Sequence, residues 1–185
     1  MDYKAESDEW LMRQVKAGHR DCLEVLVRRY ATPLLTYLHR ISGVRHTAED
    51  LLQETFLAVW AKRETYAGTG TFGSWLFAIA TNCQRQAHRT QSRRLSFIDA
   101  AESIPAVPCT APTPLDQSMI AEQHQTLAKA IARLPEQQRV ALVLRHWNRM
   151  PFADIAKVID CTEATVRSHL HHALNNIRRY MESHS

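Results

Sequence analysis

The chain has 185 residues, 45% of them hydrophobic and only five of them glycine, with a formal net charge of +4 and a pI near 9.0. That length and apolar content exclude a disordered chain and suffice for one large or two small packed domains. Mild basicity permits a nucleic-acid partner without requiring one.

Scarce glycine and the lack of long β-branched alternation predict an all-α protein. No apolar run approaches the roughly 20 residues of a membrane span, so no direct membrane insertion is expected. The opening MDYKAESDEW is acidic and polar and does not read as a signal peptide. Cys22, Cys83, Cys109 and Cys161 show no two-residue spacing and read as reduced thiols of a cytoplasmic protein.

Helical periodicity starts near Ser7 and is dense from Cys22, where Leu23, Leu26 and Val27 face inward. It continues past Pro33 through Leu34, Leu38 and Ile41, and Gly43 marks its end. Thr47-Ala-Glu-Asp50 then reads as a variant capping box opening the next helix, with Leu52, Phe56, Val59 and Trp60 inward. Asp50, Gln53 and Glu54 gather in the N-terminal half of that helix. They serve there either as dipole-favoured solubilising groups or as an acidic patch for a basic partner.

A loop from Arg63 to Thr71 holds two glycines and Tyr66, which is expected to be exposed. A long helix runs from Ser74 to about Arg94, with Trp75, Leu76, Ile79 and Cys83 on one side and Thr81, Arg85, His88 and Arg89 on the other. Arg85, His88, Arg89, Arg93 and Arg94 fall in a stretch without an acid. Aromatics beside such a basic helix suit unpaired bases and their backbone, although Phe72 and Trp75 at helical spacing also suit a core.

From Leu95 to Asp116 the helical pattern stops, and Pro105, Pro108, Pro112 and Pro114 exclude a regular helix or central strand. The expected layout is therefore a first helical domain over 1–94, a Pro-rich flexible linker over 95–117 and a second helical domain over 118–185.

The second domain reads as a helix-turn-helix. Phe152, Ile155, Ala156 and Ile159 form one apolar stripe, Asp160-Cys161-Thr162 breaks it, and Thr162 caps the next helix. Val166, Leu170, Ala173 and Ile177 form the second stripe. It turns Thr165, Ser168, His171, His172 and Asn175 outward, with Arg167 on the flank. Hydroxyls, amides, imidazoles and a guanidinium on one face are groups suited to base edges and phosphates.

These segments resemble bacterial sigma factors of the extracytoplasmic-function class over about 150 residues, in the expected order and separation. Asp50-Leu-Leu-Gln-Glu54 is similar to the family's segment that docks on the clamp helices of the RNA polymerase β′ subunit. Phe72-Gly-Ser-Trp-Leu-Phe-Ala-Ile-Ala-Thr-Asn82 resembles the segment that melts the minus-ten element. Leu134-Pro135, Arg139 and Thr165-Val-Arg-Ser168 resemble the domain that reads the minus-thirty-five element.

The resemblance implies a transcription initiation subunit that binds core RNA polymerase, through the β′ clamp helices and the β flap, and promoter DNA. It implies polymerase contacts at Asp50, Gln53 and Glu54, and minus-ten contacts at Tyr66, Asn82, Arg85, His88 and Arg89. Minus-thirty-five contacts are implied at Thr162, Thr165, Arg167, Ser168, His171, His172 and Asn175. An anti-sigma protein is an expected regulator, and no catalytic residue, metal or cofactor is expected. The chain departs from the family at His169 and His172, where Arg or Lys is usual, and at Asp160 and Ala164, where Gly is common.

Two other classes fit less of the chain. Thr165-Val-Arg-Ser-His-Leu170 also suits a response-regulator DNA-binding domain, but the N-terminal half lacks the strands of a receiver domain. Ten histidines and four cysteines invite a metal enzyme, but no zinc-site spacing, Gly-rich phosphate loop or nucleophile elbow is present.

Overall fold

Local sequence sets most helix ends. In the computed structural model, which describes residues 3–97 and 117–184, every regular element is helical. The first half holds α1 (Asp8–Lys16), α2 (Arg20–Ser42), α3 (Arg45–Ala61) and α4 (Phe72–Phe97). The second holds α5 (Gln117–Ala132), α6 (Glu136–His146), α7 (Phe152–Ile159) and α8 (Glu163–Glu182). The Pro-rich segment and Cys109 lie outside the described residues, as do the side chains of Arg93 and Arg94.

Ser7 caps α1 by accepting a hydrogen bond from the Trp10 backbone at 3.2 Å, and Asp8 and Glu9 place negative charge at its positive end. The same two acids reach other helices. Asp8 accepts from the Tyr30 hydroxyl at 2.6 Å and pairs with Arg29 on α2, and Glu9 accepts from the backbone N–H of Phe72 at 3.1 Å, at the start of α4. The short α1 thereby fastens the two long helices.

Gly43 ends α2 in the left-handed region at φ 75°, as its position predicts. The expected capping box at Thr47 is not formed. Gly43 leaves only Val44 extended before α3 starts at Arg45, so Thr47 already lies inside the first turn and Val44 supplies no side-chain cap. α4 starts earlier than predicted, at Phe72, with the Thr71 hydroxyl accepting from the Ser74 backbone at 3.2 Å, and it runs past Arg94 to Phe97.

In the second half, Asp160 takes φ 54° and ends α7, and the Thr162 hydroxyl accepts from the Thr165 backbone at 3.2 Å and caps α8. α2 packs on α1 and α3, and α3 on α4. α8 is held by α5, α6 and α7, the helix-turn-helix arrangement read from the sequence.

The two halves also pack against each other, α4 on α7 and α2 on α6. One contiguous apolar cluster runs through both. It includes Leu26, Leu38, Phe72 and Leu76 from the first half and Val140, Leu144, Ile155 and Val166 from the second. Each such aliphatic or aromatic side chain contributes about 1.5–3 kcal/mol when withdrawn from water. A smaller cluster of Leu134, Leu142 and Ala173 joins α6 to α8.

Candidate nucleic-acid and partner interfaces

The first surface lies on α3. Val59, Leu51 and Ala48 are buried while Asp50, Gln53 and Glu54 are exposed together, as a spacing of three and four residues on one helix dictates. Leu57, one turn further along the same face, is 70% exposed and is the most exposed large apolar side chain among the described residues. The periodicity that marked the acids could have found it, since it stands three residues from Glu54. Asp50 also pairs with His46 at 3.2 Å, an exposed i,i+4 contact that raises the His46 pKa together with a stronger backbone hydrogen bond. The face is thus acidic, with an exposed apolar residue at its C-terminal end.

The second surface joins the Arg63–Thr71 loop to the basic half of α4. Asn82, His88 and Arg89 are exposed, as expected. Tyr66 is not. It is only 6% exposed, set edge-on to Trp75 at 5.1 Å and to Phe72 at 6.3 Å, and its buried hydroxyl has no hydrogen-bond partner. Burial pushes that hydroxyl's pKa up. The expectation of an exposed ring fails because the aromatics of α4 draw it into their nest. Phe72 is itself fully buried and Trp75 half-buried in that nest, which decides both rings for the core.

Thr81 is likewise not on the outward side. It is fully buried, 2.6 Å from the Tyr37 hydroxyl, and donates to the Phe77 carbonyl at 2.7 Å. Arg85 is half-buried and bonds Glu136 of α6 through Nε at 2.7 Å. Burial raises the pKa of Tyr37, and Arg85, Glu136 and Arg139 all act on it, which places this polar group at the seam between the halves. Sequence reasoning missed Tyr37 and Glu136, because nothing in local periodicity reports a contact between residues so far apart in the chain.

The third surface is the outer face of α8. Thr162, Arg167, Ser168, His171 and His172 are exposed, and Thr165 and Asn175 are half-buried. Arg167 pairs with Glu163 at 3.1 Å and lies 5.0 Å from the Phe152 ring centre, with Arg145 at 4.8 Å on the same ring. The Asn175 amide lies 2.9 Å from His171 Nε2. These contacts hold the polar face in order one helical turn at a time, on a helix anchored by Val166 and Ala173. Behind it, Leu142, Leu170 and Leu174 line an apolar groove between α6 and α8, rimmed by Arg145, His146 and Arg149.

Among the described residues no group of three or more His, Cys, Asp or Glu side chains is placed to hold a metal ion. Nor is any helix there long and apolar enough to cross a membrane.

Known proteins resemble both halves of the chain. Residues 26–94 match the family model of sigma-70 region 2, and residues 124–177 match that of sigma-70 region 4. The ECF RNA polymerase sigma factor SigE of Mycolicibacterium smegmatis is 32% identical over 86% of this chain and 62% of its own length. The ECF RNA polymerase sigma-E factor of Haemophilus influenzae is 28% identical over 95% of this chain and 96% of its own. Among solved structures, CnrH in complex with the cytosolic domain of CnrY superposes with a TM-score of 0.71 at 20% identity, covering 96% of this chain and 99% of that one. The sigma factor RpoE of Bartonella quintana, bound to the anti-sigma factor NepR, gives 0.70 at 24% identity, covering 86% and 96%. At those identities the superpositions speak for the fold.

Proposed function

The chain belongs to the sigma-70 family of transcription initiation factors, in its extracytoplasmic-function class, and on that footing we propose how its surfaces divide the work. It binds core RNA polymerase and confers promoter specificity. The acidic face of α3, with Asp50, Gln53 and Glu54, docks on the basic clamp helices of the β′ subunit. The groove of Leu142, Leu170 and Leu174 receives the β flap. The observation that carries this reading is the exposed acid and apolar face on α3, which makes no contribution to the chain's own core.

Asn82, Arg85, His88 and Arg89 contact the melted minus-ten strand, beside the loop that ends at Thr71. Tyr66 braces that loop from within. Extruding a base costs a few kcal/mol, which capture in a protein pocket offsets without nucleotide hydrolysis. On the second half, Thr162, Thr165, Arg167, Ser168, His171, His172 and Asn175 enter the major groove of the minus-thirty-five element. His172 brings an imidazole, able to hydrogen-bond a base edge or a phosphate, to a position where the family usually carries Arg or Lys.

The role is that of a non-catalytic, cytoplasmic subunit. The sigma factor RpoE of Bartonella quintana, which shares this fold, is bound to the anti-sigma factor NepR, and an anti-sigma protein that covers the docking surfaces, in solution or at the membrane, regulates this one.

The test is binding to purified core polymerase of the full chain and of the Asp50→Ala/Gln53→Ala/Glu54→Ala variant. Wild-type binding with a loss of about 100-fold or more in the variant, at unchanged helicity, supports the reading. A folded wild-type chain that does not bind core polymerase overturns it.

A further inference from the structure

Left-handed backbone occurs, among the described residues, at Gly18, Gly43 and Gly68, at Asp160 and at Arg149. The glycines reach it for want of a Cβ, and aspartate through its short polar side chain. Arg149 has neither advantage. At φ 51° its Cβ crowds the backbone, where glycine would sit without strain. The turn from α6 to α7 imposes that conformation. It is closed by the Met150 N–H on the Leu144 carbonyl at 3.1 Å and by an Arg145 guanidinium N–H on the Met150 carbonyl at 3.2 Å.

Nothing the Arg149 side chain does within the protein offsets the strain. It is exposed and makes no hydrogen bond, ion pair or ring contact with another described residue. Arg145 and Arg167, by contrast, lie 4.8 and 5.0 Å from the Phe152 ring centre, and Arg167 pairs with Glu163. Arg149 stands with Arg145 and His146 at the rim of the groove between α6 and α8, and no carboxylate lines that groove. Strained backbone collects at sites that hold a ligand, and a guanidinium is a permanently charged fork. In a helix-turn-helix the first helix crosses the DNA backbone while the second enters the groove. Here the first is α7, and Arg149 lies in the turn that leads into it. Arg145 and the Phe152 ring connect that turn to Arg167 on the face of α8.

We propose that Arg149 grips a phosphate of the upstream promoter duplex, and that the strained turn is kept for this contact at a loss of stability. The inference rests on the reading of α8 as the minus-thirty-five helix, and it adds a contact from outside that helix. The leucines of the groove suit an apolar segment of the β flap, to which an exposed rim cation adds little. A phosphate, in contrast, takes both arms of a guanidinium.

The experiment titrates a fluorescent duplex of random sequence with the full chain across a salt series, since phosphate contacts act on any sequence. Arg149→Gly and Arg149→Asn are expected to reduce the salt slope by about one and to weaken binding about fivefold, while Arg149→Lys keeps the slope. The thermal midpoint of Arg149→Gly equals the wild-type value or rises by up to about 4 °C as strain is relieved. A wild-type slope in Arg149→Gly, with Arg167→Ala still lowering it, overturns the inference while the reading of α8 stands. Unchanged slopes in both overturn that reading and the inference with it. Duplex binding unchanged in Arg149→Gly but affinity for core polymerase reduced puts Arg149 at the flap and overturns the phosphate contact. A midpoint that falls in both Arg149→Gly and Arg149→Asn makes Arg149 a structural residue and overturns the exchange of stability for affinity.

Discussion

The faces of α3 and α4 are neighbours in one half of the molecule, yet they meet the rest of the protein in opposite ways. On α3 the acids and Leu57 look outward and nothing from the second half covers them. On α4 the polar side is divided: Asn82, His88 and Arg89 are exposed, Arg85 is paired with Glu136 of α6, and Thr81 is sealed in. Helical periodicity specifies which side of a helix turns away from its own layer. It says nothing about whether a later part of the chain will cover that side. Among the polar residues of α4, Arg85 is therefore engaged by the second half, whereas Asp50, Gln53 and Glu54 on α3 stay exposed.

The largest effect that separates the two faces comes from the aromatic nest at the start of α4. Phe72 is fully buried between Tyr30, Tyr66 and Trp75, with ring centres 5.3–6.3 Å away. Phe72→Ala is expected to cost about 3–5 kcal/mol of unfolding free energy in a denaturant titration. It also frees the Tyr66 loop, so that protease sensitivity between Arg63 and Thr71 rises. The α3 face needs no such nest, and the converse substitution tests this. Leu57→Ala removes a side chain with no role in the core, so stability stays within about 0.5 kcal/mol of wild type. Affinity for core polymerase falls about tenfold or more if Leu57 is the apolar anchor beside the acids. A stability loss without an affinity loss would reverse the assignment and make Leu57 a structural residue.

Much of this arrangement is legible in the sequence, and the exceptions share a cause. Gly43, Asp160 and Thr162 announce their turns because left-handed backbone and hydroxyl capping are local properties. The stripe from Val166 to Ile177 announces the recognition face for the same reason. Tyr66 escapes because a tyrosine in a glycine-bearing loop gives no local sign of the aromatics that receive it. Thr81 escapes because its partner, Tyr37, stands on another helix. Thr47 is misplaced because the extended residue before α3 is fixed by where α2 stops. Each of these departures is set by something outside the residue's own segment, and the seam between the halves is built of little else.

That seam makes a further prediction, at alkaline pH. Burial raises the pKa of Tyr37 above the ordinary tyrosine value, and burial with the Asp8 hydrogen bond does the same for Tyr30. A group whose folded pKa is raised leaves stability intact below the unfolded value, about 10 for tyrosine. The stability is then lost as pH rises above it, because the unfolded chain gives up the proton first. Urea titrations are expected to show stability constant through neutral pH and falling above about pH 10. Tyr37→Phe removes its share of that fall while costing about 1.5 kcal/mol at neutral pH through the lost bond to Thr81. Because Tyr37 lies under the closed face and not under α3, polymerase affinity should change little in this variant. An alkaline profile identical to wild type would mean that Tyr37 is not sealed in the seam.

The smallest effect lies on α8 and extends the comparison to the second half. The recognition face resembles that of α3 in being open, but its start depends on one hydroxyl. Thr162 accepts from the Thr165 backbone and lies 2.9 Å from the Thr165 hydroxyl, so a single residue both caps the helix and orders the first side chain of the proposed DNA-binding face. Thr162→Ala is expected to lower stability by about 1 kcal/mol, and Thr162→Ser to recover most of it, since serine presents the same oxygen. Duplex binding to the minus-thirty-five element should weaken in the alanine variant with its salt dependence unchanged, because no cation has been removed. Arg167→Ala should instead reduce the salt slope by about one, the mark of a lost phosphate contact. If both variants altered the salt slope alike, the cap would be acting through Arg167, and the face would behave as one coupled unit instead of a row of separate contacts.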